Sequence, residues 1–190
     1  MEFDVLRARA ETPGCAEVIH LNNAGAALMP RCVVEAQTHQ ITQEARGGGY
    51  EAAAKAAPEV ARTYAALSEL LNCRADEIAL TDSATRAWHA IVHALPWQAG
   101  DRLVTGEAEY ASNFIAFLQL ARHRGVEVVV APSDADGQID VARLADLVDA
   151  RTRLIAVTHV PTNGGLVNPA EEIGRVARDR MRVGAELEAW

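Results

Sequence analysis

Lysine is nearly missing from this chain. Lys55 is the only one among 190 residues, and every other basic side chain is an arginine. A reaction that needs a side-chain amine must use Lys55 or look elsewhere. Positive charge is also in deficit, with 18 Lys and Arg against 26 Asp and Glu for a formal charge of −8. That balance excludes a general nucleic-acid binder, which replaces phosphate counterions with a basic stripe. Cysteine is scarce: Cys15, Cys32 and Cys73 are widely spaced and form no CxxC pair, so neither a disulfide framework nor a thiolate metal site is expected. No run approaches the roughly 20 apolar residues of a membrane span. The opening MEFDVLRARAETPG has no apolar core followed by a small-residue cleavage site, so no secretion signal is expected. What is present is 49% hydrophobic residues, enough for a buried core. The expectation is an α/β protein of the cytoplasm.

Residues 1–75 read as mainly helical. The run Val18–Leu21 before Asn22-Asn23-Ala24-Gly25 predicts a short strand ending in a turn. Pro30 opens a helix to about Arg46, which Gly47-Gly48-Gly49 ends. An alanine-rich helix follows from Tyr50 to Leu71, with Pro58 expected to kink or divide it. From residue 76 to 180 short strands alternate with helices. The predicted strands are Glu77–Thr81, Arg102–Thr105, Val126–Ala131 and Arg153–His159. The predicted helices are Ala84–Leu95, Ser112–Arg124, Val141–Val148 and a last one from Asn168-Pro169. Asp136-Gly137 reads as a turn, and residues 181–190 as a divergent tail. Strands joined through helices imply crossover connections and a mainly parallel sheet covered on both faces, a three-layer α/β fold.

In such sheets ligands gather beyond the carboxyl ends of the strands, which selects the loops Asp82–Thr85, Gly106–Asn113 and Val160–Val167. In the first, Ser83, Ala84 and Thr85 stand where a strand gives way to a helix. Small residues, hydroxyls and a helix N-terminus suit a phosphate, and a simple helix cap would use the same residues. In the second, Tyr110 is placed to stack on a planar ligand or to cover the core with its hydroxyl in water. In the third, Thr162 and Asn163 are donors to a ligand oxygen or members of a tight turn. The glycine cluster at 47–49 does not match a dinucleotide fingerprint. His89 and His93 have metal-pair spacing on one helix, but no third ligand accompanies them, and no metal site is expected.

Five stretches, HLNNAGAALMP from His20, GGYEAAAKAA from Gly48, ALTDSATRAWHAI from Ala79, EYASN from Glu109 and THVPTNGGLVNPAEEI from Thr158, resemble the N-terminal half of the large domain of class V aminotransferases. These are pyridoxal-phosphate enzymes of fold type I, a group that includes cysteine desulfurases, isopenicillin N epimerase-like proteins and the C–S lyase of ergothioneine synthesis. The resemblance implies a truncated large domain of that fold, with pyridoxal 5'-phosphate as cofactor. It places Ser83, Ala84 and Thr85 at the cofactor phosphate and Tyr110 on the pyridine ring, where many relatives carry a His or another aromatic. It places Thr162 or Asn163 at the ring hydroxyl oxygen, and Asn23, Ala24 and Gly25 in the segment lining the substrate pocket. The implied reaction is at the α-carbon of an amino acid: transamination, epimerisation or β-elimination.

In the family, an Asp that pairs with the pyridine nitrogen and a Schiff-base lysine come later in the chain. Neither has a counterpart here, since Lys55 precedes the predicted sheet. The expectation is an inactive, truncated form without a catalytic residue of its own. The alternative is a non-catalytic pseudoenzyme or a partner of a longer relative. Self-association is expected in either case, because an unpaired sheet edge and uncovered apolar area favour it.

Overall fold

The computed structural model describes residues 3–162 and 164–181, and the chain divides into two compact units, Met1–Thr81 and Asp82–Trp190. The first unit is helical. Asp4 caps α1 (Val5–Ala10) by accepting from the Arg7 N–H at 2.9 Å, and a 3-10 turn at Pro13–Ala16 follows. Helix α2 (Arg31–Gly47) ends where Gly48 turns the chain with φ at 88°, a conformation that a side chain would resist. Helix α3 (Gly49–Leu71) closes on Asn72 in the left-handed region.

Two expected strands do not form. Val18–Leu21 is irregular, with Ile19 and Leu21 about nine-tenths exposed. Glu77 ends a second 3-10 turn, Ala75–Glu77, and the residues after it pair with no strand, although Ile78 has extended dihedrals. Both segments carry β-forming side chains. An extended backbone becomes a strand only when a neighbour takes up its N–H and C=O groups. The described residues therefore hold three of the five expected strands. Of the expected kink or division at Pro58, the division is absent: α3 is one helix of 23 residues running through it. Proline removes a single interior donor at about 3 kcal/mol, and the alanine-rich flanks, the strongest helix formers, carry the helix across.

The second unit follows its predicted alternation. Helix α4 (Ala84–Ala94) precedes β1 (Arg102–Gly106), then α5 (Ala111–Arg124), β2 (Glu127–Ala131), α6 (Val141–Leu147), β3 (Thr152–Ala156) and α7 (Ala170–Arg180). All strands are parallel in the order β2-β1-β3, with Val104 opposite Val129 on one side and Ile155 on the other. The period-2 alternation of β1 sends Leu103 to one face, among Val92, Phe117, Leu120 and Ala156, and Val104 to the other, among Ile139, Leu144, Val148 and Ile173. Helices α4 and α5 supply the first face and α6 and α7 the second. The turn at Asp136-Gly137 forms as expected, with Gly137 at φ 87°.

At the amino ends of the strands four charged side chains close a ring. Arg102 meets Glu127 at 3.1 Å and Asp149 at 3.0 Å, while Arg151 meets the same two carboxylates at 2.9 and 3.2 Å. Arg102 is largely buried and also donates to the Leu147 carbonyl at 2.9 Å. Desolvation pushes the Asp149 carboxyl up. The Arg151 backbone N–H, the Arg151 guanidinium and the charges of Arg102 and Arg151 outweigh it and hold the group below its ordinary 3.8.

Because the folded-state pKa of Asp149 is depressed, its contribution to stability is present above the unfolded value and is lost as pH falls through the folded one. The stability difference between the native chain and Asp149→Asn, read by urea unfolding, is therefore expected to be full at pH 6 and to shrink below pH 3.8. A difference that stayed constant would mean that the ring does not depend on this carboxylate. At the other end of β1, a Cβ on Gly106 would lie 2.7 Å from Ile139 Cδ1. Gly106→Ala is expected to cost about 1–3 kcal/mol through overpacking, and adding Ile139→Val, which deletes that atom, should recover part of the loss in denaturant unfolding.

Candidate functional site

Three loops were selected from the sequence, and the structure ties them together through hydroxyls and one carboxylate. In the first, Ser83 is the N-cap of α4, its Oγ accepting from the Arg86 N–H at 3.3 Å. The capping role is thus realised. The next residues, Ala84 and Thr85, open the helix, where N–H groups lack intrahelical acceptors and the dipole is positive. Thr85 is half-buried, and its hydroxyl lies 3.2 Å from the Ser112 hydroxyl in the first turn of α5. One turn further along α4, His89 Nε2 approaches the Ser112 carbonyl at 3.5 Å. The amino ends of two helices are therefore held side by side, with Thr85 and Ser112 between them. Two positive helix ends and two hydroxyls make a site suited to an anion.

Tyr110 is the N-cap of α5 and has no side-chain capping bond. Its backbone is held on both sides. The N–H donates to Glu109 Oε1 at 2.8 Å, and the carbonyl accepts from the N–H groups of Asn113 and Phe114 at 2.9 and 3.0 Å. The side chain is 51% exposed, so an aromatic surface on an anchored backbone is open to a ligand.

Beyond β3, Thr158 donates its hydroxyl to Glu109 Oε1. This joins the third loop to the second. Asn168 closes the same loop from its far end. It is buried at 4% exposure, accepts from the Ile139 N–H at 3.0 Å and donates to the Thr158 carbonyl at 2.7 Å. Between these anchors Pro161 is buried and Thr162 half-buried. Asn163, the other candidate for the ring-oxygen contact, lies outside the described residues.

The substrate-lining candidates Asn23, Ala24 and Gly25 belong to the first unit. They form an exposed turn, in which the Gly25 and Ala26 N–H groups donate to the Asn22 carbonyl and His20 Nε2 lies 2.7 Å from the Ala26 carbonyl. Asn23 also lines an open cleft of ≈ 720 Å³ within that unit. The rings of His89 and His93 meet edge to face at 5.6 Å. Among the described residues no three His, Cys, Asp or Glu side chains gather as a metal would require, and no helix is long and apolar enough to cross a membrane. Sequence reasoning missed Glu109, Ser112 and Asn168. The available signals were an acid immediately before a helix cap and an Asn before the proline that caps α7. Both also describe ordinary capping.

A family model described as Aminotransferase class-V matches residues 19–185. Curated relatives include a probable cysteine desulfurase of Methanothermobacter thermautotrophicus, 32% identical over 90% of this chain and 43% of its own length. A cysteine desulfurase of Serratia proteamaculans is 29% identical over 94% of this chain and 47% of its own. The chain thus spans about half the length of the curated relatives it matches. Among solved structures, a mutant of C-DES with glycine covalently linked to its PLP cofactor superposes with a TM-score of 0.81 at 25% identity, over 92% of this chain and 48% of that one. The cystine C–S lyase C-DES in complex with its product cysteine persulfide gives 0.80 at 25% identity, over 90% and 47%.

Asn168→Ala is expected to destabilise the second unit by about 1–3 kcal/mol for each buried group left unpaired, since it orphans the Ile139 N–H and the Thr158 carbonyl. Urea unfolding checks this, and a loss below the error of the method would mean that water replaces the amide.

Proposed function

Because the chain belongs to the class V aminotransferase family, we propose that it carries the loops that hold pyridoxal phosphate in an enzyme acting at the α-carbon of a sulfur-containing amino acid. The observation that carries this reading is the junction of α4 and α5, with Thr85 and Ser112 3.2 Å apart and an anchored, half-exposed Tyr110 at the start of α5. The donor set fits the cofactor: hydroxyls and helix N-termini for a phosphate dianion, an aromatic face for a pyridine ring. Ser83, Ala84 and Thr85 bind the phosphate, Tyr110 stacks on the ring, and Thr162 or Asn163 donates to the ring oxygen. Asn23, Ala24 and Gly25 line the substrate side. The cofactor, when bound, supplies an electron sink for the substrate's α-carbon. The residues of this chain bind it, orient it and exclude water from its phosphate.

Lys55 is the only lysine, and it belongs to α3 of the first unit, whereas the proposed phosphate and ring contacts belong to the second. We therefore assign reversible cofactor binding and no turnover to the 190-residue chain acting alone. The expected compartment is the cytoplasm. A second reading, a non-catalytic partner of another chain, is favoured by one feature: Val33, Val34, Ile41, Val60, Leu70 and Leu71 on α2 and α3 are all exposed. Such a surface favours self-association, and sedimentation at micromolar concentration distinguishes an associating chain from a lone monomer.

Titration of the purified chain with pyridoxal phosphate, followed by absorbance and by tryptophan fluorescence, is expected to show saturable binding. Thr85→Val should weaken it at least ~10-fold, as expected for loss of a hydrogen bond to a charged group. Unchanged affinity in that variant would remove the phosphate assignment. Borohydride treatment should leave the cofactor dialysable, and retention that vanishes in Lys55→Ala would show instead that Lys55 is the reacting amine.

A further inference from the structure

Glu109 is the most heavily bonded side chain at the carboxyl end of the sheet. Its Oε1 accepts from the Tyr110 N–H at 2.8 Å, from Asn113 Nδ2 at 3.0 Å and from the Thr158 hydroxyl, and its Oε2 accepts from the Thr105 hydroxyl at 3.4 Å. These donors come from three places: the fully buried end of β1, the first turn of α5 and the segment after β3. All four are neutral. No described Arg or His forms an ion pair with Glu109, whereas Asp82, Asp101, Glu127, Asp149 and Glu171 of the same unit each pair with an Arg.

A half-buried carboxylate without a cation is costly unless hydrogen bonds replace its water. Four neutral donors do so, and the charge strengthens the three short bonds on Oε1 in particular. The same bonds fix the geometry. With its N–H on Glu109 and its carbonyl on α5, the Tyr110 backbone is held on both sides, which fixes the point and direction from which its ring projects. Thr158, four positions before Thr162, is drawn to the same oxygen.

We propose that Glu109 is the positioning residue of the cofactor site, its carboxylate tying the Tyr110 backbone and the Thr158–Thr162 segment to one another so that the origin of the stacking ring and the ring-oxygen contact are set together. The inference rests on the cofactor reading above for its purpose, but not for its geometry. It assigns Glu109 no contact with cofactor or substrate. Glutamate suits the task because three donors converge on a single oxygen, which a charged oxygen holds better than an amide oxygen. Glutamine keeps the shape and part of the bonding.

The first arm of the test needs no cofactor. Amide hydrogen exchange of the full chain is compared with Glu109→Ala, Glu109→Gln and Thr158→Val. Glu109→Ala should raise exchange at least ~10-fold in residues 106–113 and 158–162 and leave residues 127–131 and 149–152 unchanged, as a local opening does. Thr158→Val should loosen residues 106–113 although it lies far along the chain, and Glu109→Gln should fall between. Exchange that rises uniformly, or not at all, overturns the proposal. Should Glu109→Ala fail to fold, Thr158→Val decides the same question.

The second arm is a double-mutant cycle in pyridoxal-phosphate affinity. Glu109→Ala should cost at least ~10-fold in the native background and less than ~2-fold when Tyr110 is already Ala, because a residue acting through another has no effect once that residue is gone. Equal costs in the two backgrounds overturn the link. If the unsubstituted chain takes up no pyridoxal phosphate, the cofactor reading fails, and the exchange pattern alone then decides whether Glu109 positions the loops.

Discussion

The second unit depends on the confinement of one strand. β1 is hydrogen-bonded along both edges and covered on both faces, and Leu103, Val104, Thr105 and Gly106 are all buried. Burying a Leu or Val side chain is worth about 1.5–3 kcal/mol. The larger effect is positional, because a strand held on four sides transmits its place to whatever follows it. Thr105 is its last side chain, and it points a hydroxyl at Glu109. The loop that carries Tyr110 therefore starts from a fixed point. Gly106 is part of the same confinement: the Ile139 side chain occupies the space that a Cβ would fill.

The two ends of the sheet handle charge differently. At the amino ends arginines and carboxylates neutralise one another in a closed ring, Arg102–Glu127–Arg151–Asp149, and Asp101 pairs with Arg153 at 3.1 Å. At the carboxyl ends the one central carboxylate meets only hydroxyls, an amide and a backbone N–H. Partial positive charge there comes from helix ends, whose field is fixed by the fold and needs no flexible cation. An anion arriving at such a site meets groups already oriented, so little ordering cost is left for binding to supply.

Much of the second unit was legible in the chain. Val126–Ala131 and Arg102–Thr105 are β-branched or aliphatic runs bounded by Gly or Pro, and the structure places β2 and β1 within a residue or two of them. Asn168-Pro169 before two acids announced α7. Val18–Leu21 and Glu77–Thr81 carried the same kind of signal and failed, because local composition states that a segment tolerates extension and not that a partner lies beside it. Of the candidate site, Ser83, Ala84, Thr85 and Tyr110 could be singled out because helix ends and aromatic loop residues have a local signature. Glu109 was not found as a centre. Its donors Thr105, Asn113 and Thr158 come from separate elements, and only the sheet order β2-β1-β3 makes them neighbours.

That sheet order also bears on how the unit assembles. β1 is made before both of its neighbours, and Arg102 waits for Glu127 and then for Thr152 to be paired on either side. Until β2 arrives, the most buried strand of the unit has two open edges, and only α4, made before it, and α5, made after it, are available to cover a face. Parallel pairing across an intervening helix is slow compared with local helix formation. During synthesis the chain therefore passes through a stage in which Leu103 and Val104 have only helical company. This is the stage at which the apolar side chains of the strand are most open to pairing with another chain.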